Sequence, residues 1–236
     1  MVFIPALLLI FSLSYGTEIY VAVASSMRPL FEELTHAFEK KYGRIKVKLS
    51  FGSSGNLYRQ LSGGAPYDIF ISADPLYVKK LMEEGKGFLY REFAVGKLIL
   101  FSLHKNPSIK SLENSKRIAI ASPRYAPYGK AAVIFLKRTD LYKKLRDRLV
   151  YGSNVAQAFQ FAVMGGAEIA IVSLSLALSY GKGKYFIIPS DLYPPVKHVL
   201  MISVKGSKKK EVLKFFHFLR EPEVKSLIKR HGFEAL

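Results

Sequence analysis

The sequence predicts an α/β protein whose strands and helices alternate along nearly the whole chain and are shared between more than one sheet. Short runs rich in β-branched and aromatic residues (Ile19–Val23, Ile45–Phe51, Tyr67–Ser72, Arg117–Ala121, Ile169–Val172) recur, each followed by a helix-forming segment. The turns that join run to helix repeatedly carry Ser, Gly or Asn, the residue types that start helices. Such units are too many for one small sheet, and a chain of 236 residues suits one large domain or two small ones.

In chain order, Met1–Gly16 (MVFIPALLLIFSLSYG) is apolar, too short for a comfortable membrane span, and ends in the small residues Ser14 and Gly16. It reads as a signal peptide over 1–16 with a mature start near Thr17, although no Lys or Arg precedes the apolar core. That reading places the protein in the periplasm or another extracytoplasmic space. Ile19–Val23 is a strand that turns through Ala24-Ser25-Ser26. Pro29–Lys41 then carries apolar residues at 30, 31, 34, 37 and 38, one helical face, with Ser26 at the cap, Pro29 in the first turn and Gly43 beyond the far end.

The next strand alternates apolar residues at 45, 47, 49 and 51 and runs into Gly52-Ser-Ser-Gly55, from which a helix over Asn56–Leu61 departs. A strand turning sharply into a helix leaves backbone N–H groups unpaired and aimed outward. Gly52 and Gly55 let a ligand approach, and Ser53 or Ser54 caps the helix and adds a hydroxyl donor, which makes half of an anion cradle. Gly-Ser-Ser-Gly alone is also an ordinary turn; its recurrence elsewhere in the chain singles it out.

Tyr67–Ser72 is a buried strand, with Asp74-Pro75 opening a helix to about Glu84. Phe93–Leu103 reads as one long apolar strand. Arg117–Ala121 leads through Ser122–Gly129 into a helix ending near Lys137, and a shorter helix spans about Leu141–Arg146. Asn154 caps a helix over Val155–Met164 that Gly165-Gly166 ends, and after Ile169–Val172 another helix starts at Ser173. Val199–Val204 is the last strand, and two C-terminal helices break at Glu221-Pro222. This alternation predicts parallel sheets covered on both faces, with ligands at the carboxyl ends of strands where helix N-termini gather.

Composition narrows the function. The absence of cysteine removes disulfides, thiolate catalysis and cysteine zinc sites. Thirty-six Lys and Arg against 18 Asp and Glu give a net charge of +18, but the basic residues are spread over helical faces such as Lys79-Lys80, Lys143-Lys144 and Lys208–Lys210. No RNA-binding or helix-turn-helix signature accompanies them, so the charge reads as a solvated surface that attracts small anions rather than nucleic acid. There is no Gly-x-Ser-x-Gly elbow, Walker loop or dinucleotide fingerprint, which speaks against a Ser-dependent enzyme. The five histidines (His36, His104, His198, His217, His231) have no metal-ligand spacing and read as surface or packing residues.

Assembled, these residues resemble the periplasmic molybdate-binding proteins that serve ATP-driven oxyanion importers. The matching runs are Val23–Met27, Ser50–Gly55, Gly64–Asp74, Ser122–Gly129, Asn154-Val155, Ala170–Val172 and Phe218–Pro222 through Gly232-Phe233. The resemblance implies a two-lobed, type II periplasmic-binding-protein fold, with two doubly wound sheets joined by two hinge-crossing strands near Gly96–Leu100 and Lys197–Leu200. Lobe I would hold 17–97 plus 197–236, and lobe II 98–196. Carried over by position, Ser26 and Ser54 are hydroxyl donors, and Tyr128 and Val155 donate backbone N–H groups. Ser173 stands where many members place a Tyr whose hydroxyl reaches the anion; Tyr125 or Tyr128 is the neighbouring phenol that would stand in.

The resemblance also implies the ligand, molybdate and with it tungstate, with no further cofactor, a membrane permease of an ABC importer as partner, and a monomer without enzymatic activity or nucleic-acid binding. Uncharged donors suit a fully ionised dianion, which presents only acceptor oxygens. A monoprotonated phosphate needs an acceptor for its hydrogen, and the carboxylates in reserve are Asp68 and Asp74. The alternatives are another oxyanion in the same fold, sulfate-like or phosphate-like, and, further off, a basic nucleic-acid-binding protein or a Ser-dependent enzyme.

Overall fold

The computed structural model describes residues 17–236, so the signal-peptide reading of 1–16 lies outside the described residues. The chain opens with β1 (Thr17–Ala24), a 3-10 turn at Ser25–Met27, α1 (Arg28–Tyr42), β2 (Ile45–Gly52), α2 (Ser54–Ser62), β3 (Ile69–Ser72), α3 (Pro75–Glu83) and β4 (Gly87–Gly96). A middle segment follows with β5 (Leu98–Ser102), α4 (Ile109–Glu113), β6 (Ile118–Ala121), α5 (Pro127–Arg138), α6 (Tyr142–Leu145) and β7 (Leu149–Gly152). It continues with α7 (Val155–Val163), β8 (Ile169–Ser173), α8 (Leu174–Tyr180) and β9 (Lys184–Ile187). The chain ends with β10 (Val196–Ser203), α9 (Lys210–Phe218), α10 (Pro222–Arg230) and β11 (Glu234–Ala235).

These strands form two sheets, one ordered β11-β4-β10-β3-β1-β2 and the other β7-β6-β8-β5-β9. The chain crosses from the first to the second at Lys97 and returns before Val196. Each sheet is mixed rather than parallel. The strands β2, β1 and β3 pair in parallel, as do β7, β6 and β8, but β10 runs against β3 and β4, and β5 runs against β8 and β9. The reversed strand in each sheet is the one that has just arrived from the other. It enters at the edge where its new neighbours end, so it can only run back against them, without the helical crossover that a parallel partner needs.

For the same reason Phe93–Leu103 is two strands and not one. Phe93 and Ala94 are buried in the first sheet's core, Leu98–Phe101 in the second's, and Lys97 is the exposed joint between them. The sequence reading also passed over α4, held by a capping box between Ser108 and Ser111, and the short strands β7 and β11. The first sheet is covered on one face by α1, α9 and α10 through residues such as Phe31, Phe38 and Phe215, and on the other by α2 and α3 through Leu57, Val78 and Leu81. The second sheet has a single continuous core that includes Ile118–Ala121, Phe135, Phe159 and Ile169–Val172. No helix among the described residues is long and apolar enough to cross a membrane.

Candidate functional site

Four strands end at the gap between the sheets, and each runs into a helix there. The ends of β1 and β2 supply Ser25-Ser26 and Gly52-Ser53-Ser54; the ends of β6 and β7 supply Ala126-Pro127-Tyr128 and Val155. With Ala24 and Ala73 these residues line a small, partly open cavity. No residue of the lining carries a charge. What they offer is hydroxyl groups, the unpaired N–H groups of helix first turns, and the positive ends of helix dipoles. That set binds an anion without a counter-charge.

Ser54 and the start of α7 are held by hydrogen bonds from outside the cavity. The Ser54 oxygen accepts the Ala73 amide at 2.9 Å, which leaves the hydroxyl proton to be donated. Ser53 also has its hydroxyl buried, without a partner. On the other side, the Asn154 side-chain oxygen caps the amides of Ala156 and Gln157 at 3.0 and 3.1 Å. The cap leaves the Val155 amide, the first of α7, unspent at the cavity wall. Pro127 and Tyr128 begin α5 in the same way, with proline at a position whose N–H would have no helical partner.

Ser26 is nearly fully buried, and its oxygen lies 3.0 Å from Nε2 of His198 on β10. The sequence reading left His198 among the surface and packing residues. The signal available in the sequence is weak: His198 follows Lys197 near the start of an otherwise apolar strand. Burial lowers the His198 pKa to about 3.

The sequence-expected residues Ser26, Ser54, Tyr128 and Val155 come together on the cavity wall, drawn from four different turns. Ser173 does not join them. It stands at the N-cap position of α8, fully buried and outside the cavity lining, with its hydroxyl unpartnered. The Tyr128 ring extends back into that region, and its hydroxyl is also buried without a hydrogen bond. Burial pushes the Tyr128 pKa up; the Ser173 and Ser26 hydroxyls lie close enough to offset this in part, without forming a good hydrogen bond. The ring fits only because residue 96 is glycine, since a methyl group there would collide with the phenol oxygen. Of the two phenols considered from sequence, Tyr128 is therefore the one near Ser173. Tyr125 sits outside the cavity under the Arg59 guanidinium, 4.4 Å from its ring centre.

Neither carboxylate held in reserve reaches the cavity. Asp68 is buried at the opposite end of β3, bonded to the Tyr20 amide at 2.9 Å and to Lys209 Nζ at 2.8 Å. Asp74 caps α3 through the Leu76 amide. It also meets Lys130 across the gap at 3.4 Å. A second contact across the gap joins the Gly55 amide to the Tyr125 carbonyl at 2.9 Å. These two contacts hold the sheets together beside the cradle.

The chain is similar to known proteins in sequence and in fold. Residues 19–234 match the family described as bacterial extracellular solute-binding protein. The molybdate-binding protein ModA of Rhodobacter capsulatus is 33% identical over 224 residues, covering 92% of this chain and 88% of that one. The protein of the same name from Azotobacter vinelandii is 34% identical over 228 residues, covering 92% and 90%. The solved structure of the Azotobacter vinelandii periplasmic molybdate-binding protein superposes with a TM-score of 0.87 at 30% identity, over 92% of this chain and 99% of that one.

Proposed function

The chain belongs to the bacterial extracellular solute-binding protein family, and from that premise we propose that it captures molybdate between its two halves for an ABC importer. The observation that carries this reading is the cavity wall itself: four helix starts, hydroxyl and backbone donors, and no charged group. A tetrahedral dianion without protons satisfies every one of those donors and asks for no acceptor in return. Tungstate has the same shape and charge and is proposed as a second ligand. Ser26, Ser54, Tyr128 and Val155 are proposed as the ligand-binding residues, the first two through hydroxyls and the others through backbone N–H groups.

The role is binding rather than catalysis. In the proposed cycle the anion enters when the halves 17–97 plus 197–236 and 98–196 part, and closure about the two crossings removes its water. Loss of water is what makes the donors strong, since each hydrogen bond to a charged group is worth roughly 1.5–3 kcal/mol. Six or so such bonds, offset by closure and desolvation, are compatible with sub-micromolar affinity, about −8 kcal/mol or better. The closed shape is the form offered to a membrane permease outside the cytoplasm, and the protein acts as a monomer.

The surface charge of +18 serves attraction, not recognition. Titration with molybdate, tungstate, sulfate and phosphate by calorimetry tests the reading. Sub-micromolar binding of molybdate supports it, and millimolar or absent binding refutes it.

A further inference from the structure

We propose that His198 is a positioning residue of the cradle: its imidazole, protonated on Nε2, donates to the Ser26 oxygen and so frees the Ser26 proton for the bound oxyanion. The inference rests on the oxyanion reading above and concerns which way one hydrogen bond runs.

A serine hydroxyl has one proton. If Ser26 gave it to His198, only lone pairs would face an anion that itself carries only lone pairs. The 3.0 Å separation is compatible with either direction, but the surroundings are not. Nδ1 of His198 is buried and has no hydrogen-bond partner. The Ala94 and Val196 carbonyls lie near the ring and favour its charged form, but neither meets Nδ1 with hydrogen-bond geometry. A proton on Nδ1 would thus be a buried donor left unsatisfied, whereas a proton on Nε2 is satisfied by Ser26. The neutral ring therefore carries its proton on Nε2.

Ser54 shows the same device in a form that admits no choice of tautomer. Its oxygen accepts from the Ala73 amide, which can only donate, and its proton is left over. Ser26 and Ser54, the two hydroxyls proposed to meet the anion, are then each pinned from behind by an N–H group. The ring is well placed to stay fixed and neutral: the edge of Phe233 lies against it with centroids 5.2 Å apart, Tyr128 is 6.1 Å away, and burial disfavours the cation. It also stands opposite Ala94 on β4, two residues before Gly96, so both crossing strands hold it. A guest with a proton at that corner would meet a donor with its own donor, so His198 acts on specificity through Ser26.

Two measurements test this. The first is long-range proton–nitrogen NMR of the wild-type imidazoles, with and without sodium molybdate. It should find the His198 proton on Nε2 in both states, and a proton on Nδ1 would overturn the assignment even if every variant failed to fold. The second is calorimetry with molybdate. His198→Leu should weaken binding about tenfold, while His198→Gln, whose amide N–H reaches a similar point, should stay within about threefold of wild type. Because His198 acts through Ser26, adding His198→Leu to Ser26→Ala should cost nothing more. Wild-type affinity in His198→Leu, or losses that multiply in the double variant, would overturn the proposal. A wild-type chain indifferent to molybdate would instead refute the oxyanion reading, and the NMR result would still decide the position of the proton.

Discussion

The Ser54 oxygen accepts the Ala73 amide at 2.9 Å, tying the first residue of α2 to the residue that follows β3. The bond spans 19 residues of sequence and fixes which atom of Ser54 faces the cavity. Since one lone pair of the oxygen is engaged with an N–H, the hydroxyl proton is left to be donated.

Ser54→Ala should therefore weaken molybdate binding tenfold or more, about 1.4 kcal/mol or above. It should also lower stability by about 1–3 kcal/mol, because the Ala73 amide is left buried without an acceptor. Ser26→Ala should weaken binding to a similar degree. Calorimetry and thermal melts of the unliganded variants separate the two effects.

Gly55→Ala should impair closure. A methyl carbon there would sit 2.7 Å from the Tyr77 hydroxyl oxygen and 2.9 Å from the Tyr125 carbonyl oxygen across the gap, so the contact from Gly55 to Tyr125 would have to open. Affinity should fall on the order of tenfold. Small-angle X-ray scattering should show a smaller compaction on adding molybdate than in wild type.

His198 should make stability depend on pH. Its pKa is about 3 when folded against 6.5 as the ordinary value, so below pH 6.5 the unfolded chain takes up a proton that the folded chain refuses. Stability is complete above pH 6.5 and is lost progressively as pH falls toward 3; at pH 5 this one group costs about 2 kcal/mol. The ring's contacts are Ser26, Tyr128 and Phe233, none of them charged. Denaturant unfolding at pH 7.5 and 5 should show the difference in wild type, and His198→Gln should show a correspondingly smaller one.

Lys209→Met should destabilise the fold and spare the ligand. Asp68 is fully buried and its carboxylate meets Lys209 at 2.8 Å, far along β3 from the cavity. Removing the cation strands a buried carboxylate, at a cost of about 3–5 kcal/mol. Affinity for molybdate at a temperature where the variant is folded should equal that of wild type.

Much of this arrangement was legible because helix caps are local. Ser26, Gly52–Gly55 and Asn154 announce their turns through their own chemistry, whereas Tyr128 and Val155 are named as donors only through the family resemblance. What was missed depends on contacts between distant segments. His198 lies 172 residues from Ser26, and nothing near it in sequence says that its ring turns toward a serine of the cradle. The break at Lys97 hides within an unbroken apolar run, because each half is apolar for the sake of a different core. Ser173 was assigned by position, yet it lies outside the cavity lining and the Tyr128 ring occupies the neighbouring space. The antiparallel course of β5 and β10 follows from crossing between sheets, a relationship that periodicity does not encode.

The most direct test of the central claim, that uncharged donors select a proton-free dianion, is a calorimetric comparison of molybdate and phosphate near pH 7, repeated at low and high salt. The account predicts sub-micromolar molybdate binding, phosphate weaker by about a hundredfold or more, and little change with salt, because the contacts are buried. Phosphate bound as tightly as molybdate, or molybdate affinity that collapses as salt rises, would contradict it.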